Sequence, residues 1–567
     1  MKNVIIAVAA ALLFSCGSKQ EPADMIISGG TIYTLDEGSP QVEAVAVRDE
    51  KIVYAGALAG VEDFKGEQTK MIDLKGNTMT PGLIESHGHI MGLGYNELNL
   101  DLMDTKSYDE IVERVKDAVS KAEPGEWILG RGWHQDKWDK KPEKMINGFQ
   151  THQKLSEVSP DNPVYLGHAS GHAGFANAKA MQIAGVNQMS VERLAKDLGE
   201  GGEIIRDELG NPTGLFNERA QTLIAEYIPE NSEETDSKAL ELAMQACARE
   251  GITSFHDAGA TRSDIALFKK FRANDNMQTR LYVMVSGRDP ELVYEWIQQG
   301  PLIDSSEYLT IRSIKLNCDG ALGSRGAWLL ESYSDRANWT GMPTISMDTV
   351  LSVSRNAIKA GFQVCAHAIG DRANREVLDR YEIAFKENPE VKDHRFRIEH
   401  AQHVHPDDIP RFGQMNVIAA MQAIHLSSDR PWAIDRLGEK RIVEETYVWQ
   451  DLMNSGAMII NGSDVPVEPI NPIASFYASV ARKTLKGEPE GGYEPEQKMT
   501  REQALRSYTL DAAYGAFQEN AIGSIEVGKL ADFTIYSQDI MTVPEDKILG
   551  TQVTKTIVGG KIVYEKP

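Results

Sequence analysis

An α/β fold built on an eight-stranded βα barrel is what the order of patterns along this chain predicts. Three observations carry it. Between residues 79 and 518, short apolar runs alternate with helical stretches, the pattern of parallel strands joined by helical crossovers. Polar residues able to do chemistry stand where those runs stop, as they do at the C-terminal ends of barrel strands. Both ends of the chain are rich in short strands separated by Gly, Asp and Glu turns, which predicts one small β domain built from the two termini.

Residues 1–22 stand outside the fold. Lys2 gives a positive start, and Val4 to Phe14 is an apolar run too short for a transmembrane helix, the shape of a secretory signal. It ends in Leu13-Phe14-Ser15-Cys16-Gly17, which resembles a bacterial lipobox, where cleavage precedes the cysteine and the cysteine is acylated. An ordinary signal with a chance cysteine is the plainer alternative. The expectation is an exported lipoprotein, tethered to a membrane through Cys16 alone and facing the periplasm or the cell surface. Cys247, Cys318 and Cys365 then remain, an odd set expected to be buried free thiols rather than a disulfide framework.

Residues 23–78 supply strands around Met25-Ile26-Ile27, Thr31 to Thr34, Ala44 to Val47 and Lys51 to Tyr54. Residues 519–567 complete the same domain, with a Gly559-Gly560 hairpin near the end. In between, nine strand candidates end at His87, near Ala169, and at His256-Asp257, Ser286, Asn317, His367, His400, Gln422 and Asn461. Val164-Tyr165-Leu166 is the odd one. It lies in a Trp-, Gly- and charge-rich segment of about residues 95–220 that lacks βα rhythm, and the segment is read as an insertion after the first barrel strand.

Composition narrows the function. A formal net charge of −24 disfavours nucleic acid and broad attachment to anionic lipid. A hydrophobic share of 41% fits a globular protein with a sizeable core.

The first barrel strand ends in His87-Gly88-His89. Side chains two apart on a strand share a face, so both imidazoles can reach one ion. Two histidines do not close a metal site. Further along, Lys315, His367, His400 and Asp464 each stand at the end of, or just past, an apolar run. Singly, each reads as a capping or hydrogen-bonding residue; four further polar groups at one layer of different strands ask for a common purpose.

In that order, these residues resemble the metal ligands of the amidohydrolase superfamily. With Gly130-Arg131-Gly132-Trp133, Ser170-Gly171-His172-Ala173, Asp319 to Arg325, Ile398 to Gln402, Gly462 to Glu468 and Gly528 to Phe533, the chain is similar to amidohydrolase family 3, the branch of N-substituted formamide deformylases and YtcJ-like proteins. The resemblance implies a distorted (β/α)8 TIM barrel with a small β-sandwich domain. It implies one or two divalent ions, usually zinc: His87, His89 and Asp464 on the more buried one, His367 and His400 on the second. Lys315 would bridge them as a carboxylated lysine, since an ammonium has no lone pair to give.

The activity implied is metal-dependent hydrolysis of a non-peptide carbon–nitrogen bond, in a linear N-acyl or N-formyl amine, by a metal-activated water with Asp464 as base and then acid. His172, Arg325, His425 and Trp133 are candidate substrate contacts. Each also has a structural reading: Arg325 in an ion pair, Trp133 in the core of the insertion. Glu399 precedes His400 and is expected on the other strand face in a structural role. A deaminase or cyclic amidase on the same scaffold is the second reading, weakened because the stretch His367-Ala368-Ile369-Gly370 lacks the His-x-x-Glu acid of mononuclear deaminases. A non-catalytic solute-binding lipoprotein is the third. The partner expected is a small amide-type molecule, with no nucleic acid; a homo-oligomer is compatible with the chain.

Overall fold

The computed structural model describes residues 20–135, 138–169, 171, 173–186 and 202–567. Cys16 and His172 lie outside the described residues.

Eight parallel strands form the barrel, in the order expected: Leu83–Gly88, Ile252–Ala260, Arg280–Ser286, Leu309–Asn317, Gln363–Ala368, Arg397–His400, Ile418–Met421 and Ile459–Asn461. Their runs of Val, Ile, Ala and Leu are buried on both faces, which is what a parallel sheet wrapped in helices demands. The second strand extends past His256-Asp257 to Ala260.

The ladder is continuous from first strand to eighth. The seam between those two is closed differently. The Asp464 N–H donates to the His87 carbonyl at 2.8 Å, and the His89 N–H to the Val465 carbonyl at 2.8 Å. Glu85, pointing across the seam, accepts from the Ser463 N–H at 2.7 Å and the Ser463 hydroxyl at 2.9 Å. Burial pushes the Glu85 carboxyl up to about 8, against the pull of the Ser463 and His87 donors. Gly462 is required here: a Cβ would stand 2.3 Å from Glu85 Oε1 and 2.6 Å from the His87 nitrogen.

The two ends of the chain meet in one eight-stranded sheet, the sandwich domain. Thr78–Pro81 pairs antiparallel with Phe533–Tyr536, and Ile27, Val45, Phe533 and Ile557 share a core. Alternation places Val45 and Val47 in that core and Ala44 and Ala46 against Val61 on the other face.

The insertion after the first barrel strand carries its own six-stranded sheet, of which Val164–His168 is a member. Trp133, Leu166, Phe175 and Leu215 form its core. Its other strands escaped the sequence pattern because Gly and Trp interrupt them, as in Ile128–Trp133. Cys247, Cys318 and Cys365 are buried free thiols.

Candidate metal centre

Strand order brings the expected residues to one end of the barrel. His87 is fully buried at the end of the first strand. Its Nε2 lies 3.2 Å from Lys315 Nζ on the fourth strand and 3.5 Å from Asp464 Oδ1 after the eighth. His89, half-exposed, places Nε2 3.3 Å from the same Asp464 oxygen. The His400 ring packs 4.8 Å from that of His87 and 4.4 Å from that of His367, centroid to centroid. Donor atoms of His87, His400 and Asp464 lie within 4.8 Å of one another.

The imidazoles are oriented from behind. His87 Nδ1 contacts Glu399 Oε2, and Glu399 is itself gripped by Arg397, Nε to Oε1 at 2.7 Å and Nη2 to Oε2 at 3.0 Å. Burial opposes the charge on Glu399, yet Arg397 and His87 outweigh it and hold the carboxyl far below the usual range. An ionised Glu399 accepts a hydrogen bond from Nδ1–H, which fixes the tautomer and leaves the Nε2 lone pair facing the site. On His400, Nδ1 donates to Gln422 Oε1 at 2.6 Å, an amide orientation fixed by Gln422 Nε2 donating to the Ala420 carbonyl at 3.1 Å.

Glu399 corrects the sequence reading. It faces the barrel interior and orients a histidine, although it precedes His400 by one residue. His400 adopts φ +72°, a left-handed turn of backbone that breaks the alternation of a strand. Both neighbours therefore reach the centre. Asp464, at φ +58°, is aimed in the same way.

The donor set fits a divalent cation. Buried Asp464 Oδ1 and His367 Nε2 have no hydrogen-bond partner among the described residues. Burial alone would raise the Asp464 carboxyl; His425, His87 and His89 outweigh it and hold it well below the ordinary value. Lys315 is 3% exposed and has no carboxylate within ion-pair distance among the described residues. Burial draws its ammonium pKa down, against the pull of Glu399 and Asp464. Nitrogen and oxygen donors around one point suit zinc and its neighbours. That same His367 Nε2 lies 3.2 Å from Asp319 Oδ1 without hydrogen-bond alignment, and Asp319 instead accepts the N–H groups of Trp328, Ile369 and Gly370 at 2.8–3.0 Å.

A cavity of about 530 Å³ opens onto this cluster, lined by His367, His400, Asp464 and His425 together with Arg131, Trp432, Asp429 and Glu468. His425 sits in the first turn of helix Ala423–Glu444. Its Nε2 is 3.8 Å from Asp464 Oδ2 and its Nδ1 3.9 Å from Glu468. Burial works against its charge, but Asp464 and Glu468 prevail and push the imidazole up to about 10.

Two candidate substrate contacts are placed elsewhere. Trp133 does not line the cavity: it is fully buried in the insertion core and donates its indole N–H to the Leu166 carbonyl at 2.9 Å. The reason is local. Gly132 takes φ +108°, and the strand register shifts between Arg131 and Trp133, so Arg131 reaches the cavity while Trp133 turns inward. Arg325 is held bidentately by Asp335, at 3.1 and 2.7 Å. Arg131 and Gln422 were not singled out from the sequence. Arg131 stands between the two glycines of Gly130-Arg131-Gly132, the one signal that marked it.

A model of the amidohydrolase family matches residues 70–564. Protein LONG AFTER FAR-RED 3 of Arabidopsis thaliana is 34% identical over 554 residues, spanning 96% of this chain and 92% of its own. The N-substituted formamide deformylase of Arthrobacter pascens is 26% identical over 557 residues, 96% of this chain and 98% of its own. Among solved structures, an uncharacterized metal-dependent hydrolase from Pyrococcus horikoshii superposes with a TM-score of 0.73 at 26% identity, over 92% of this chain and 99% of that one. Barrel, terminal β domain and extent of match agree: this chain belongs to the amidohydrolase family.

Proposed function

We propose that this protein is a metal-dependent hydrolase of a non-peptide carbon–nitrogen bond, in a linear amide of the N-acyl or N-formyl amine class. The observation that supports it most is the convergence of His87, His89, Lys315, His367, His400 and Asp464 at one barrel end, with Asp464 Oδ1 within 3.5 Å of the Nε2 atoms of both His87 and His89. Similarity to a deformylase across nearly the whole chain supports the linear amide.

In this reading His87, His89 and Asp464 would hold one ion and His367 and His400 a second, and Lys315, once carboxylated, would serve as a further anionic ligand. When bound, a divalent ion such as zinc supplies the Lewis acidity that polarises the carbonyl and makes water nucleophilic near neutral pH. The chain does the rest. Glu399 and Gln422 keep the two imidazoles in register. Asp464 takes the proton of the attacking water and hands it to the leaving nitrogen. Water oxygen bonds to the carbonyl carbon, the carbon–nitrogen bond breaks, and a carboxylate and an amine leave. His425, against the second oxygen of Asp464, holds that carboxylate in place.

The test is elemental analysis of chelator-free protein followed by an N-acyl amine panel. Two zinc-like ions with amide turnover, abolished in Asp464→Asn at largely unchanged metal content, is the expected result. Full activity in that variant would remove Asp464 from its role, and protein that takes up no metal would undo the reading. We also propose export and lipid attachment at Cys16; labelled palmitate incorporated by the native chain and not by Cys16→Ser is the expected outcome.

A further inference from the structure

Among the described residues that line the cavity above the ligand cluster, Arg131 carries the one guanidinium. Its Nη1 donates to the Pro466 carbonyl at 3.0 Å and its Nη2 to the Ala169 carbonyl at 3.3 Å. These bonds strap the side chain to the cavity wall. No carboxylate lies within ion-pair distance of it among the described residues. Burial works against its charge, and Asp464 is the acid that acts on it through space. Glu468, on the same wall, is directed at His425, 3.9 Å away.

A guanidinium drawn partly out of water, as Arg131 is, loses solvation that a paired anion would restore. Carbonyl oxygens satisfy two of its five N–H donors and none of its charge. Once Asp464 gives its own charge to a cation, Arg131 is left uncompensated in a cavity of about 530 Å³. The group that fits a fork of N–H donors is a carboxylate, bound bidentately. Leu322, Ile369 and Trp432 line the same cavity and offer an apolar wall beside it.

We propose that Arg131 anchors a carboxylate of the substrate, so that the amide hydrolysed is an anionic one, with its acid group a few bonds from the scissile nitrogen and an apolar substituent against Trp432. This deepens the hydrolase reading and rests on it for the reacting bond, but the anchor itself is a binding claim.

The matched probes are N-acetylphenylalanine and N-acetyl-2-phenylethylamine, which differ only in the carboxylate. With zinc-loaded protein, the expected result is a preference in kcat/KM for the acid. Arg131→Met should erase it, costing about 10- to 100-fold on the acid, mostly in KM, and leaving the neutral twin within about threefold. Arg131→Lys, which keeps the charge and loses the fork, should fall between. Loss of both substrates to the same degree would overturn the proposal, because a strap or an oxyanion donor serves both alike. Equilibrium titration of the zinc-loaded protein with the same pair, if neither amide turns over, reads the anchor directly. Tighter binding of the acid in the native chain, lost in Arg131→Met, keeps the anchor even if neither amide is hydrolysed, in which case the hydrolase reading alone fails. Equal binding of the two probes by the native chain sinks the anchor.

Discussion

Glu399 and His87 are joined across the barrel interior, sixth strand to first, with the Arg397 guanidinium closing the pair from below. All three side chains are buried. Glu399 is thereby kept ionised and His87 kept in the tautomer that presents Nε2 to the site. Glu399→Gln should lower metal affinity by about 10- to 100-fold while the far-UV circular dichroism stays native. Metal titration against a chelator reads this; unchanged affinity would make the pair purely structural.

Lys315 stands 3.2 Å from His87 Nε2 with no carboxylate to pair it among the described residues, an arrangement that an ammonium tolerates poorly and a carbamate suits. Intact mass measured under native conditions with bicarbonate should exceed that of the same chain in denaturing acid by one carbon dioxide beyond the bound metal. Lys315→Ala should abolish the increment and halve the bound metal. Full metal in Lys315→Ala would show that the ions need no bridge there.

The seam of the barrel depends on Gly462. Gly462→Ala forces a methyl against Glu85 Oε1 and the His87 backbone, atoms that carry the contacts between first and eighth strands. The expected cost is about 1–3 kcal/mol, read as a lower denaturation midpoint, with weaker metal uptake because His87 moves.

His394, away from the metal centre, gives a pH dependence. Its ring stacks on Phe385 at 3.6 Å, its Nδ1 accepts the Phe396 N–H at 3.2 Å, and burial pushes its pKa down from 6.5 to about 4. The unfolded chain therefore binds a proton between those values that the folded chain does not. Its contribution to stability is complete above about pH 6.5 and is lost as the pH falls toward 4. Denaturation midpoints across that window should fall in the native chain and flatten in His394→Asn, whose side-chain oxygen can still accept the Phe396 N–H. Identical slopes would remove His394 as the source.

The amino-acid sequence by itself determined the barrel, its eight strands, the terminal β domain and the residues at the strand ends. All of these are written in local patterns: apolar runs that stop at a polar group, His-x-His spacing, a hairpin at Gly559-Gly560. A strand's period of two also carried His87 and His89 to one side. Tertiary structure alone decided where that period fails. At His400 and Asp464 the backbone turns left-handed, and Glu399 consequently faces the ligand it was expected to avoid. At Gly132 a register shift sends Arg131 to the cavity and Trp133 to the core. Such turns depend on what the rest of the fold presses against them, the insertion lying over the barrel mouth and the eighth strand closing on the first. No window of neighbouring residues contains that information, because the atoms that settle it are hundreds of positions away.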